Sequence, residues 1–221
     1  MEHALVIGAS GGIGRAVAAD LARRGSAVTT LSRSRDGLDI TDPASIRAAM
    51  DRLEGPFDLV FIATGILAPD GSAPEKSVAA IEAATMAEVM AVNAIGPALL
   101  MQAALPLLPR DRRAVLAVLS ARVGSIGDNR IGGWHSYRAS KAALNQIMRG
   151  TAIEMGRTHK QGVCVSLHPG TVATPFTADY AGRHKTVPPD QAARNLLDVL
   201  AELTPAQSGG FFDYSGAEVA W

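Results

Sequence analysis

Gly8-Ala9-Ser10-Gly11-Gly12-Ile13-Gly14 is the stretch on which the reading of this chain turns. The apolar run Ala4–Ile7 before it has the length of a strand. Behind it Ile13, Val17 and Leu21 recur every four residues up to a stop at Gly25, as one face of a helix does. Glycines between a strand and a helix allow a tight turn and let backbone N–H groups approach a pyrophosphate, which the helix N-terminus then stabilises. Glycines also serve plain close packing, so the turn alone is a weak sign. Its strand–turn–helix setting makes it a dinucleotide-binding turn.

Outward from this motif the chain alternates short apolar runs with helical periodicity, the pattern of stacked βαβ units and a mostly parallel sheet. Ala27–Leu31 reads as the second strand. Ser32–Ile40 is too short for a crossover helix, so the third strand is reduced to a stub around Leu38–Ile40 or is reached by a bare loop. Thr41-Asp42-Pro43 opens a helix whose Ile46, Met50 and Leu53 face the core, and Gly55-Pro56 ends it. Asp58–Ala63 is the fourth strand. A long helix is expected from Val78 to Leu105, kinked at Pro97 and ended at Pro106. Ala114–Leu119, Val163–Leu167 and Gly210–Tyr214 complete the strands, with helices over Ser136–Arg157 and Pro189–Leu203. The expectation is a single doubly wound α/β domain over residues 1–221, of Rossmann type, helices on both faces, strand order 3-2-1-4-5-6-7.

The end of the second strand bears on the cofactor. A carboxylate there would take the ribose 2′-hydroxyl of NAD. This chain instead has Leu31-Ser32-Arg33-Ser34-Arg35, hydroxyls and guanidinium groups that suit the 2′-phosphate of NADP(H); a merely solvated basic loop is the plainer alternative. Asp39 lies too far along to be that carboxylate and reads as an adenine contact. Tyr137-Arg138-Ala139-Ser140-Lys141 falls inside a predicted helix, where residues four apart share a face. A tyrosine titrates near 10, too high for acid–base work at neutral pH unless a neighbouring cation lowers it. Such pairs occur by chance on helices; it is the glycine turn upstream that makes this one specific.

With these motifs in place, the chain resembles the short-chain dehydrogenase/reductase family, more narrowly its C-factor-like and carbonyl-reductase-like members, over essentially its whole length. The resemblance rests on Gly8–Gly14, Val92-Asn93-Ala94-Ile95-Gly96, Tyr137–Lys141, His168-Pro169-Gly170-Thr171-Val172-Ala173-Thr174 and the tail Ser208-Gly209-Gly210-Phe211-Phe212. It implies that Tyr137 is the general acid/base and that Lys141 binds the nicotinamide ribose and depresses the tyrosine pKa. Asn93 would hold a water that continues the proton relay. Pro169, Gly170, Val172 and Thr174 would border the nicotinamide. Gly8, Ser10, Gly11, Gly12, Ile13, Gly14, Ser32, Arg33, Asp39, Ile40, Ala63 and Gly65 would form the rest of the cofactor surface.

Two departures stand out. The family's Asn-Asn-Ala-Gly after the fourth strand is Ile62-Ala63-Thr64-Gly65 here, and its Ser-Ser after the fifth is Ser120-Ala121. Either Ser120 or Ser125 could donate to the substrate oxygen, and the spacing to Tyr137 favours Ser125. The substrate pocket is expected along Thr174–Pro188, with Phe176, Tyr180 and His184 as candidates.

Composition bounds the alternatives. Basic and acidic residues number 21 each, leaving no excess charge for a nucleic-acid backbone. The single cysteine, Cys164, sits in an apolar run and reads as a core residue. Met1-Glu2-His3 is not a basic leader, and the apolar stretch behind it is too short to span a membrane, so a cytoplasmic protein is expected. His135 and His168 lack the acidic or histidine neighbours of a metal site. The long helix is more apolar than one sheet-facing stripe requires (Val89, Met90, Leu99, Leu100, Met101), which points to a homodimer or homotetramer. The expected activity is NADP(H)-dependent hydride transfer to or from a small carbonyl or alcohol substrate. The rival is a non-catalytic nucleotide-binding or signalling protein of C-factor type.

Overall fold

The computed structural model describes residues 1–177 and 186–221. Six parallel strands form one sheet: β1 (His3–Ile7), β2 (Ala27–Leu31), β3 (Leu59–Ile62), β4 (Ala114–Leu119), β5 (Gly162–His168) and β6 (Phe211–Asp213), in the order β2-β1-β3-β4-β5-β6. This is the expected doubly wound order without its outermost strand. In place of that strand the chain makes one short helical turn, α2 (Arg33–Asp36), and then a loop. Leu38 nonetheless enters the core, and Ile40 packs so closely on Gly96 that a Cβ there would lie 2.7 Å from the Ile40 carbonyl oxygen. The segment is held by packing on a helix rather than by strand pairing.

The sheet is buried on both faces, so β3, β4 and β1 from Ala4 onward are continuous apolar runs rather than alternating. On one face α1 (Gly12–Arg23) and α7 (Pro189–Glu202) cover Val6, Phe61, Ala117 and Val165. On the other, α3 (Pro43–Met50), α5 (Gly96–Ala104) and α6 (His135–Thr158) cover Leu5, Val60, Leu116 and Cys164. Pro43 and the Asp42 side chain, which accepts from the Ala44 N–H at 2.8 Å, start α3 as its sequence anticipates.

The long helix differs from the expectation in a way that matters for the site. Val78–Ala80 forms only a separate 3-10 turn, and the helix begins as α4 (Ala83–Met90). It then widens into a π turn over Ala91–Ile95 before continuing as α5. Pro97 has no N–H, and its ring would collide with the carbonyl four residues back. The turn widens just before Pro97, where that collision would fall, and the residue inside the widened turn is Asn93. The run Ala83–Leu107 is long and apolar enough to cross a membrane by length and composition alone, with a mean hydropathy of 1.5. Here it packs on α6 and the sheet.

Candidate active site

The chain leaves β1 toward β2 on one side and reaches β3 on the other, so the carboxyl ends of β1 and β3 flank the switch point where open α/β sheets bind their ligands. Gly8 follows β1 with φ 88°, a left-handed conformation natural only to glycine. A Cβ on Gly8 would press within 2.9 Å of the Ala63 backbone, and one on Gly14 would collide with the Gly8 carbonyl. A Cβ on Gly12 would lie 2.6 Å from Thr174 Cγ2. The glycine turn therefore touches both the Ala63 segment and the segment after β5. Gly11 precedes α1 without capping it through a side chain. The first-turn N–H groups are thus available to an anion, and Ser10 is exposed beside them. Gly170 (φ 77°) rests on the Tyr214 ring, while Pro169 and Val172 are buried.

At the end of β2 the arrangement is less simple than the residue types suggest. Arg33 and Arg35 are exposed, but Ser32 is buried, and its hydroxyl donates to Asp36 Oδ2 at 3.2 Å. The Ser32 N–H donates to the same oxygen at 2.7 Å, and Ser32 Oγ accepts from the Arg35 N–H. Asp36 thus closes the turn on itself, a role its place in the sequence does not announce. Asp39 likewise accepts from the Thr41 hydroxyl and N–H, which hold its carboxyl below the usual range.

Tyr137 and Lys141 lie on the face of α6 that also carries the core residues Leu144 and Met148. Both are buried: Tyr137 is 7% exposed and Lys141 3%. Lys141 Nζ donates to the Leu119 carbonyl at 2.9 Å and lies 5.9 Å from the Tyr137 ring centroid. Burial pushes the Tyr137 phenol above its ordinary value and brings Lys141 down to about 8. The expected depression of the tyrosine does not appear, because desolvation of the phenolate dominates. A phenol that keeps its proton at neutral pH suits a proton donor.

Asn93 is fully buried in the π turn. Its Oδ1 accepts from the Ile66 N–H and its Nδ2 donates to the Ile66 carbonyl, both at 2.8 Å, and Nδ2 also donates to Ser140 Oγ at 3.0 Å. Ser140 in turn donates to the Tyr137 carbonyl at 2.8 Å. The amide thereby splints the Gly65-Ile66 segment to α6. Gly65 sits over both groups: a Cβ there would lie 3.1 Å from Asn93 Oδ1 and 3.4 Å from Lys141 Nζ.

The two serines separate. Ser120 continues β4 directly from Leu119, the residue that receives Lys141, and strand alternation turns it to the α6 face, with Leu116 and Val118. Its hydroxyl is buried with no hydrogen-bond partner among the described residues. Ser125 is buried in its own loop, where its hydroxyl accepts from the Asp128 N–H at 3.1 Å. Its neighbours Gly124 and Ile126 line a cleft on the outward side of α6 with Ala142, Asn145 and Arg149. Ser136, Ser140, Trp134 and Glu75 also belong to the site and were not singled out by sequence. Trp134 and Phe176 flank the Tyr137 ring at centroid distances of 6.2 and 6.1 Å. Tyr180 and His184, the other two pocket candidates, lie outside the described residues.

A family model described as enoyl-(acyl carrier protein) reductase matches residues 8–203. The chain belongs to the short-chain dehydrogenase/reductase family. It is 33% identical to the 1-hydroxy-2-glutathionyl-2-methyl-3-butene dehydrogenase of Rhodococcus sp. (strain AD45), with all of both chains covered. It is 39% identical to the C-signal of Myxococcus xanthus over 64% of this chain and 81% of that one. The NADPH-bound carbonyl reductase from chicken fatty liver superposes with a TM-score of 0.83 at 27% identity, covering 100% of this chain and 94% of the reductase. Membership makes the chain an oxidoreductase of this family, carbonyl-reductase-like in its resemblances.

Proposed function

We propose that this family member, a single domain over residues 1–221, is a cytoplasmic NADP(H)-dependent oxidoreductase acting on a carbonyl or alcohol substrate through Tyr137. The observation that carries the reading is the buried Tyr137–Lys141 pair, set on α6 beside Ser120 at the carboxyl end of β4. The cofactor fits the residues present. Gly8, Gly12 and Gly14 leave a turn that any Cβ would obstruct, and the buried hydroxyls of Thr64 and Ser120 have no partner among the described residues. Gly8–Gly14 would hold the pyrophosphate, Arg33 the 2′-phosphate, Lys141 the nicotinamide ribose, and Pro169, Gly170, Val172 and Thr174 the nicotinamide border. An NADPH-bound carbonyl reductase of the same fold supports that choice.

When bound, NADPH would supply the hydride that the carbonyl carbon takes up. Tyr137 gives its phenolic proton to the carbonyl oxygen, so the product is the neutral alcohol. Ser120 donates a hydrogen bond to that oxygen while negative charge develops on it. Lys141, kept cationic below about pH 8, stabilises the phenolate left on Tyr137.

The test is turnover of NADPH with a panel of aldehydes, ketones and quinones, beside Tyr137→Phe. The unsubstituted protein should reduce members of the panel, and Tyr137→Phe should bind NADPH with turnover nearly abolished. Tyr137→Phe that keeps substantial activity on every accepted substrate would overturn the assignment. The similarity to C-signal keeps the signalling reading concrete: NADPH binding with no turnover of any carbonyl would favour it.

A further inference from the structure

The helix that carries Tyr137 starts without a local cap. Its N-cap residue is Trp134, held in the left-handed region at φ 53° and ψ 42°. A bulky residue rarely adopts that conformation unless its surroundings impose it. An indole offers no acceptor, so the first N–H groups of α6 must find one elsewhere.

Glu75 provides it from 61 positions away. Glu75 is buried, with 7% of the residue exposed. Its Oε2 accepts from the Ser136 N–H at 3.2 Å, and its Oε1 accepts from the Ser136 hydroxyl. Its main-chain carbonyl accepts from the Trp134 N–H at 2.5 Å. Gly133, also left-handed at φ 64°, brings the chain so close that a Cβ there would lie 3.4 Å from the same carbonyl. One residue of the segment between β3 and α4 thus grips both Trp134 and Ser136, the residues around the first turn that precede Tyr137.

We propose that Glu75 is a positioning residue for Tyr137: through Ser136 and Trp134 it fixes the start of α6 and sets the Trp134 ring against the phenol. The inference rests on the reading of Tyr137 as proton donor. A serine or aspartate at position 134 would cap the helix locally and needs no buried carboxylate. Burying a carboxylate is costly unless hydrogen bonds compensate it. The distant cap leaves position 134 free for an aromatic side chain, whose ring meets Tyr137 at 67° with Phe176 as the other flank. The hydrogen bonds from Ser136 hold the Glu75 carboxyl below its usual range despite burial, so it stays charged at the positive end of the helix.

The experiment uses the full chain carrying Trp221→Phe, which leaves Trp134 as the only indole and keeps a ring against Phe211. In that background Glu75→Ala should lower kcat by about 10- to 100-fold, the range for a reacting group displaced by an ångström or less, with NADPH affinity unchanged. Trp134 emission should move to the red and become more quenchable by acrylamide. Glu75→Gln, which still accepts from the Ser136 N–H, should recover most of kcat and of the emission. Unchanged emission and kcat in Glu75→Ala would overturn the proposal. So would a loss in both variants of kcat, NADPH affinity and circular dichroism together, which marks a residue that only holds the fold. If Tyr137→Phe stays active, the proton-donor reading fails by itself, while the emission of Glu75→Ala still judges the grip on Trp134.

Discussion

Asn93→Ala tests the splint between the cofactor side of the site and the catalytic helix. The substitution removes three hydrogen bonds from a fully buried amide, two to the Ile66 backbone and one to Ser140. The Ile66 groups are only partly buried and can recruit water, and Ser140 keeps its bond to the Tyr137 carbonyl. Each lost bond is therefore weighted at the ordinary net value of about 1 kcal/mol, about 3 kcal/mol in all. For a chain of this size that lowers the melting temperature by about 6–12 °C. Gly65, which lies against both Asn93 and Lys141, should loosen with it, so turnover and NADPH affinity should both fall. Differential scanning fluorimetry with and without NADPH measures the first effect, and steady-state kinetics the second. An unchanged melting temperature with lost activity would refute the splint and return Asn93 to a purely chemical role.

Ser120→Ala should cost about 10²–10³ in kcat, the usual loss of a transition-state donor, while Ser125→Ala behaves as the unsubstituted enzyme; the reverse result would restore the spacing argument. Carbonyl reduction should fall as pH rises through about 8, because Lys141 is charged below that value and neutral above it, whereas the Tyr137 phenol keeps its proton across the same range; a rate flat across that step would exclude Lys141 as the titrating group. Arg33→Ala should erase a preference for NADPH over NADH measured by dissociation constants, and equal constants in the unsubstituted protein would remove the preference altogether. Ile95 and Ile153 are 54% and 55% exposed on α5's approach and α6, so sedimentation should show a dimer or larger, and Ile95→Glu with Ile153→Glu should dissociate it; a monomer before substitution would refute the interface.

The fold was legible because its signals are local and redundant. The glycine turn, the capping Asp42-Pro43 pair and the apolar runs of the central strands each state their own conformation, and the sheet follows from stacking them. The third strand failed as an expectation because the residues that would pair are too few to cross back, and Leu38 and Ile40 gain more by packing on the core and on Gly96. The long helix was legible in extent but not in pitch: Pro97 announces a disturbance, yet whether it kinks the axis or widens the turn depends on what Asn93 finds to bond.

The site divides in the same way. Tyr137 and Lys141 are four apart on one helix, and their shared face follows from helix geometry alone. Counting residues to Tyr137 does not register that Ser125 engages its own turn through Asp128, nor that Ser120 shares a strand face with Leu116 and Val118, which is why the proposal rests on Ser120. Asp36 and Glu75 carry no motif at all. Each is a carboxylate that closes backbone N–H groups left open by its surroundings, Asp36 at the end of β2 and Glu75 at the start of α6. Such needs become visible only when the donors are in place: Trp134 must already be left-handed before its helix lacks a cap. The residues proposed to perform chemistry are thus read from type and spacing, and those proposed to aim them from hydrogen-bonding needs that arise in the folded chain.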